Sequence, residues 1–216
     1  MGPVKKGSII KFGTYPQTAA GTDKTPIEWL VLDIMGDKAL VISKYGLDAK
    51  PYNTQLANIT WEQCTLRKWL NSEFLGKAFT PEQQRSIVQT KVSNARSECY
   101  SNWNTNGGND TQDKIFLLSY AQAHQYFGVN YWQQDEAKGY PNQKSRVEPT
   151  AYAIKQGALT NSDYKAEGGN PAGWWWLRSP GDYQSNAAGV NYAGSLCDDY
   201  VGSGIASVRP AFLLHL

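Results

Sequence analysis

The chain has 216 residues, 41% of them hydrophobic, enough to bury a sizeable core and near the upper end of what one compact domain holds. Its 21 basic and 19 acidic side chains nearly cancel, to a formal net charge of +2, and neither sign gathers into runs, so the footprint of a nucleic-acid binder is missing. No stretch approaches the roughly 18 consecutive apolar residues of a membrane span, and the reading is a single domain over residues 1–216 with no membrane span and no nucleic-acid partner.

The opening segment from Met1 to Lys11 carries Lys5-Lys6 without a long apolar run behind it, so no export signal is expected. A phage virion, a bacterial cytoplasm and a bacterial surface all suit such a start. Short strands follow at Ser8–Phe12, Ile27–Asp33 and Lys38–Ser43, rich in β-branched and aromatic residues and separated by turn formers, which predicts a twisted antiparallel meander. Thr60-Trp61-Glu62-Gln63 has the reciprocal capping pattern ahead of Leu66, Trp69, Leu70 and Phe74, so a helix is expected from Thr60 to about Phe74. Thr80-Pro81-Glu82-Gln83 and Ser119-Tyr120-Ala121-Gln122 offer two more helix starts. The polar, turn-forming stretches 93–114 and 127–147 read as long structured loops. Strand character returns at Trp174–Arg178, Ala187–Val190 and Ser207–Leu214, with Pro210 marking an edge, a bulge or a boundary.

The 8 tryptophans, 13 tyrosines and 20 glycines suit an irregular fold in which large rings pin long loops. Alternation along a strand sends Trp174 and Trp176 to one face and Trp175 to the other, which favours core packing over a sugar-stacking platform. Cys64, Cys99 and Cys197 are odd in number and widely spaced, and read as free thiols. His124 and His215 fall outside metal-ligand spacing, and no metal or cofactor is expected. Arg178 and Arg209 read as buried or half-buried partners of carboxylates.

Several blocks together resemble the variable proteins of diversity-generating retroelements: Gly13-Thr14-Tyr15-Pro16-Gln17, Ile27-Glu28-Trp29, Leu66-Arg67-Lys68-Trp69-Leu70-Asn71, Trp174 through Gly181, and Val208-Arg209-Pro210-Ala211-Phe212. The resemblance implies an α+β, C-type-lectin-like fold of the formylglycine-generating-enzyme-like superfamily. Twisted antiparallel sheets, two or three helices, long structured loops and neighbouring N- and C-terminal strands belong to that fold. It also implies a ligand-binding protein, phage or bacterial, whose C-terminal surface is rewritten where template AAC codons become NNC. Such codons cannot encode Lys, Glu, Gln, Met or Trp. From Asp182 to Ala206 only Gln184 belongs to that excluded set.

The candidate variable region is therefore 182–206. Its ligand-facing residues would be Asp182, Tyr183, Ser185, Asn186, Tyr192, Cys197, Asp198, Asp199, Tyr200, Ser203 and Ile205, threaded through a fixed scaffold of Ala187, Ala188, Val190, Gly194, Leu196 and Val201. Tyr183, Tyr192 and Tyr200 are the expected anchors, since tyrosine brings contact area and a hydroxyl for little rotamer entropy. Asp198 and Asp199 would favour a basic or donor-rich partner, and supply too few oxygens for calcium. The implied partner is a protein or cell-surface ligand, with oligomerisation left open. A fixed-specificity structural or carbohydrate-binding module would have much the same loop composition. An enzyme of the formylglycine-generating or sulfatase-modifying type would need a nearby pair of copper-binding cysteines, which the spacing does not offer. No hydrolase or phosphate-loop motif is present, nothing in the spacing joins Asp110 to Asp113, and no catalytic residue is expected.

Overall fold

The computed structural model describes residues 4–96, 105–130 and 143–216. Strands β1 (Ile9–Tyr15), β2 (Thr25–Met35) and β3 (Lys38–Ser43) form the antiparallel meander that their composition predicts. A two-residue turn containing Gly36 at φ +63° reverses the chain between β2 and β3, a conformation glycine reaches without a Cβ penalty. The last strand, β13 (Ala211–His215), pairs antiparallel with β3 and completes a sheet of order β1-β2-β3-β13. The first and last strands therefore share a sheet but occupy its opposite edges.

A second sheet gathers β4 (Asp48–Ala49), β9 (Trp175–Pro180), β10 (Asn186–Val190), β11 (Leu196–Tyr200) and β12 (Ser207–Val208) in the order β11-β10-β9-β12-β4. Only β12 against β9 is parallel. Pro210 sits between β12 and β13, where the chain passes from one sheet to the other. Two small hairpins stand apart: β5 (Thr90–Val92) with β6 (Thr111–Asp113), and β7 (Thr160–Lys165) with β8 (Pro171–Gly173).

The tryptophans explain how the layers hold. Trp175 and Trp176 point to opposite faces of β9, yet both are buried, so that sheet is covered on both sides. Their indole nitrogens donate to Ser145 O at 3.0 Å and Lys50 O at 2.9 Å, leaving neither buried donor unsatisfied. In the first sheet Trp29 packs edge-on to Phe212 at 4.6 Å and donates to Phe12 O at 2.7 Å. Tyr15 ties the sheets together through a buried 2.6 Å hydrogen bond to Asp48.

The helices are short. Cys64, not Thr60, caps α1 (Thr65–Trp69), which continues through a π turn at Leu70–Phe74 into α2 (Leu75–Ala78). Residues Thr60 to Gln63 form only a turn, and the Thr60 hydroxyl is buried without a partner among the described residues. The capping pattern there is outvoted by the cross-chain bonds Thr65 N to Asn53 Oδ1 and Leu66 N to Tyr52 O, which fix the helix start further on. At α3 (Pro81–Ser86) and α4 (Tyr120–Phe127) the reciprocal boxes of Thr80 with Gln83 and Ser119 with Gln122 do form. A further helix, α5 (Ala151–Gln156), lies in a stretch where no element is read from the sequence.

These facts correct the α+β, C-type-lectin-like expectation. The protein is mostly β, with 36% of the described residues in strands and 19% in helices, curled sheets and few helices. One reason is physical: the last third adds β7, β8 and β11, short strands without apolar alternation whose pairing is set by neighbours. Of the expected long loops, 97–104 and 131–142 lie outside the described residues, as does Cys99. Among the described residues no helix is long and apolar enough to cross a membrane.

Candidate functional site

The segment 182–206 is built on the β10–β11 hairpin and the crossover that follows it. Asn191 starts its turn, where its Oδ1 accepts from Ala193 N and Ser195 N at 2.9 and 3.1 Å, and Gly194 takes φ +88°. That turn is clamped from within, by Ser145 Oγ on Gly194 O at 2.7 Å and Arg146 Nε on Ala193 O at 3.1 Å. β11 is an edge strand, and the chain leaving it crosses to the far side of β9.

The residues divide by burial. Ala187, Ala188, Val190, Gly194, Leu196 and Val201 are all buried, while each of the candidate ligand-facing residues is half-buried or exposed. Tyr183 and Tyr200 are 67% and 60% exposed, among the most open large side chains described. Leu56 is 65% exposed and lies against Gly202, where a Cβ would stand 3.7 Å from the Leu56 backbone nitrogen. Leu56 escapes sequence reasoning because it lies far away in the chain.

The candidate set does not form one flat face. Register opposes Asn186 to Tyr200 and Ala188 to Asp198 on one side, and Ala187 to Asp199 and Gly189 to Cys197 on the other. Asp182, Asn186 and Asp198 come together: the Asn186 amide nitrogen donates to Asp182 Oδ1 at 2.8 Å and to Asp198 Oδ2 at 3.0 Å. Asp198 Oδ2 also accepts from Asp182 N at 3.0 Å. Asp198 thus pairs across the hairpin with Asp182, not along the strand with Asp199. Burial, then the neighbouring Asp182 carboxyl, raises the Asp198 pKa to about 6. Tyr192 sits apart, at the turn end, packed 5.1 Å from Tyr164 and 6.1 Å from Trp174.

Gln184 is the internal brace. Its amide nitrogen donates to Ile59 O at 3.0 Å and Asn106 O at 2.9 Å, its side-chain oxygen accepts from Asn106 N at 2.9 Å, and its carbonyl accepts from Ile59 N at 3.1 Å. Thr105 Oγ1 adds a 2.7 Å bond to Gly181 O.

Other candidates separate. Burial, with Asp198 and Asp199 adding to it, holds the Cys197 thiol well above its ordinary pKa, the reverse of an activated nucleophile. Cys64 is buried and pushed up to about 12. Asp113 is buried against Arg67 at 2.7 Å, while Asp110 pairs with Lys91 at 3.1 Å on the surface, so those two carboxylates do not meet. Arg178 donates to Leu117 O, Ser93 O and the Gln122 side chain, locking loops through carbonyls. Arg209 Nε donates to Ser43 O at 2.8 Å rather than to a carboxylate. No group of three or more His, Cys, Asp or Glu gathers among the described residues to hold a metal ion.

A family model described as Domain of unknown function (DUF6273) matches residues 36–216, from the β2–β3 turn to the end of β13. The chain belongs to DUF6273. The match takes in the whole second sheet and the β10–β11 hairpin, so the candidate face lies within the DUF6273 domain. No curated protein and no solved structure matches the chain.

Proposed function

We propose that residues 182–206 form a ligand-binding face whose outward side chains are varied by a retroelement while the buried set stays fixed, and that the ligand is a protein or a cell-surface molecule. The observation that carries this reading is the division of a single segment into a buried small and apolar scaffold and a half-buried or exposed set rich in Tyr, Asp, Ser and Asn. Exposed positions such as Tyr183 and Tyr200 can change without a core penalty, because their side chains fill no cavity. Tyr183 and Tyr200 present large rigid rings, and exposed Leu56 adds apolar surface beside Gly202.

Gln184 supports the same reading from the other side. It is the single member of the segment that an NNC codon cannot encode, and its three side-chain hydrogen bonds give it a structural task that variation would destroy.

The test is sequencing of this gene from many individuals of one population. Substitutions should concentrate at Asp182, Tyr183, Ser185, Asn186, Tyr192, Cys197, Asp198, Asp199, Tyr200, Ser203 and Ile205, sparing Gln184 and the buried scaffold. Variation no denser there than in the flanking codons, or spread equally over Ala187, Val190 and Leu196, would sink the proposal.

A further inference from the structure

Arg209 stands between β12 and β13 and is only 4% exposed. Its guanidinium lies over the Phe127 ring at 4.8 Å and the Trp175 ring at 4.9 Å, and its Nε is taken by Ser43 O. Nη1 is buried and has no hydrogen-bond partner among the described residues. A guanidinium carries five N–H donors, and ring faces attract its charge without supplying the acceptors those donors lose on leaving water. A desolvated cation without a counter-ion is costly, so its retention calls for an explanation beyond packing. Burial lowers its pKa to about 9, which still leaves it charged at neutral pH.

Arg209 also lines a cavity of about 380 Å³, with Lys44, Lys144 and Arg146 beside it against the carboxylates Glu148 and Glu167. Part of that charge is already spoken for: Lys44 pairs with Glu28 at 2.9 Å, and Glu148 accepts from Asn170 at 2.9 Å. A neighbouring cavity of about 310 Å³ shares Leu30, Phe127, Gln143, Lys144 and Glu167 with the first and adds Tyr126. Cationic groups and aromatic and aliphatic side chains in one lining suit a ligand with a charged head and an apolar body. The volumes fall in the range of small-molecule sites, roughly 300–1,000 Å³.

We propose that this cavity binds a small organic carboxylate, its charged head meeting Arg209 and Lys144 and its apolar body lying against Leu30, Tyr126 and Phe127. The site shares no residue with 182–206 and stands independently of the binding face proposed there. The planar fork of arginine matches a carboxylate in geometry as well as charge.

The experiment titrates the intact chain with benzoate and, separately, with the neutral isostere benzamide, reading the melting temperature and the arginine Nε–Hε resonances by NMR. Benzoate should raise the melting temperature saturably and shift the Arg209 resonance, and benzamide should do neither. Lys144→Gln, at an exposed position, should weaken benzoate binding about five-fold without changing the fold. Arg209→Met should abolish it. If Arg209→Met fails to fold, the resonance shift and Lys144→Gln carry the test alone. Equal responses to benzoate and benzamide, an unmoved Arg209 resonance, or parental affinity in Lys144→Gln would each overturn the proposal. Tighter binding of inorganic phosphate than of benzoate would overturn it as well, because phosphate has no apolar body.

Discussion

At the scale of single residues, the Asp182–Asn186–Asp198 cluster makes the protein's stability depend on pH. Asp198 is raised from 3.8 to about 6 in the folded state, so the folded chain holds a proton that the unfolded chain releases sooner. Stability should therefore fall as pH rises from about 4 to about 6 and level off above that. After discounting for solvent screening at a half-buried group, the change is about 1 kcal/mol. Melting curves of the parent and Asp198→Asn between pH 4 and 7 check this: the variant should lose that slope and be the more stable of the two at pH 7. An identical pH profile in both would rule the account out. Gln184 makes a second case. Gln184→Ala leaves Asn106 and Ile59 without their side-chain partners, and should cost about 1–3 kcal/mol in urea denaturation. Tyr200→Ala, at a side chain 60% exposed, should stay within about 0.5 kcal/mol of the parent. A binding face supported by a fixed brace requires that contrast, and the brace could be anticipated in the sequence only as an odd residue in an otherwise NNC-compatible run.

At the scale of elements, two similar sequence signals had different outcomes. Thr80 and Thr60 each stand three residues before a glutamine, yet Thr80 accepts from Gln83 N at 3.2 Å and caps α3, whereas the Thr60 hydroxyl has no partner among the described residues. Thr80→Ala should destabilise by about 1 kcal/mol. Thr60→Val, which keeps the shape and removes an unsatisfied hydroxyl, should be neutral or stabilising. Parallel thermal melts of the two variants decide it, and a larger loss at Thr60 would contradict the observed geometry. The same limit explains β11 and β7. Leu196-Cys197-Asp198-Asp199-Tyr200 has no apolar alternation because as an edge strand it needs only one partner, and β10 supplies it.

At the scale of the whole molecule, the two sheets and the helical segment are joined by a few buried polar links as well as by the tryptophan core. Asp113, fully buried, accepts from Arg67 Nε at 2.7 Å, Trp61 Nε1 at 3.0 Å and Thr111 Oγ1 at 2.7 Å, tying β6 to α1. Asp113→Ala strands all three donors and should cost about 3–5 kcal/mol, measured as a lowered urea midpoint. A loss below about 1 kcal/mol would mean that the packing around Trp61 holds these elements without it.

The sequence by itself determined the meander of β1 to β3, the capped starts of α3 and α4, some interruption of the ladder at Pro210 and the inward places of Trp175 and Trp176. These rest on local rules: period-two alternation, reciprocal capping, a missing N–H and the facing of successive side chains. In the candidate face, the split between small or apolar positions and polar ones was legible for the same reason, since side-chain type and burial go together. Tertiary structure alone decided that the class is mostly β, that Asp198 meets Asp182 rather than Asp199, that Leu56 lies against Gly202, and that Arg209 lines a cavity with its Nη1 unpartnered among the described residues. Each depends on residues far apart in the chain, and the free energy that brings them together comes from burial shared over the whole core, which no local pattern records.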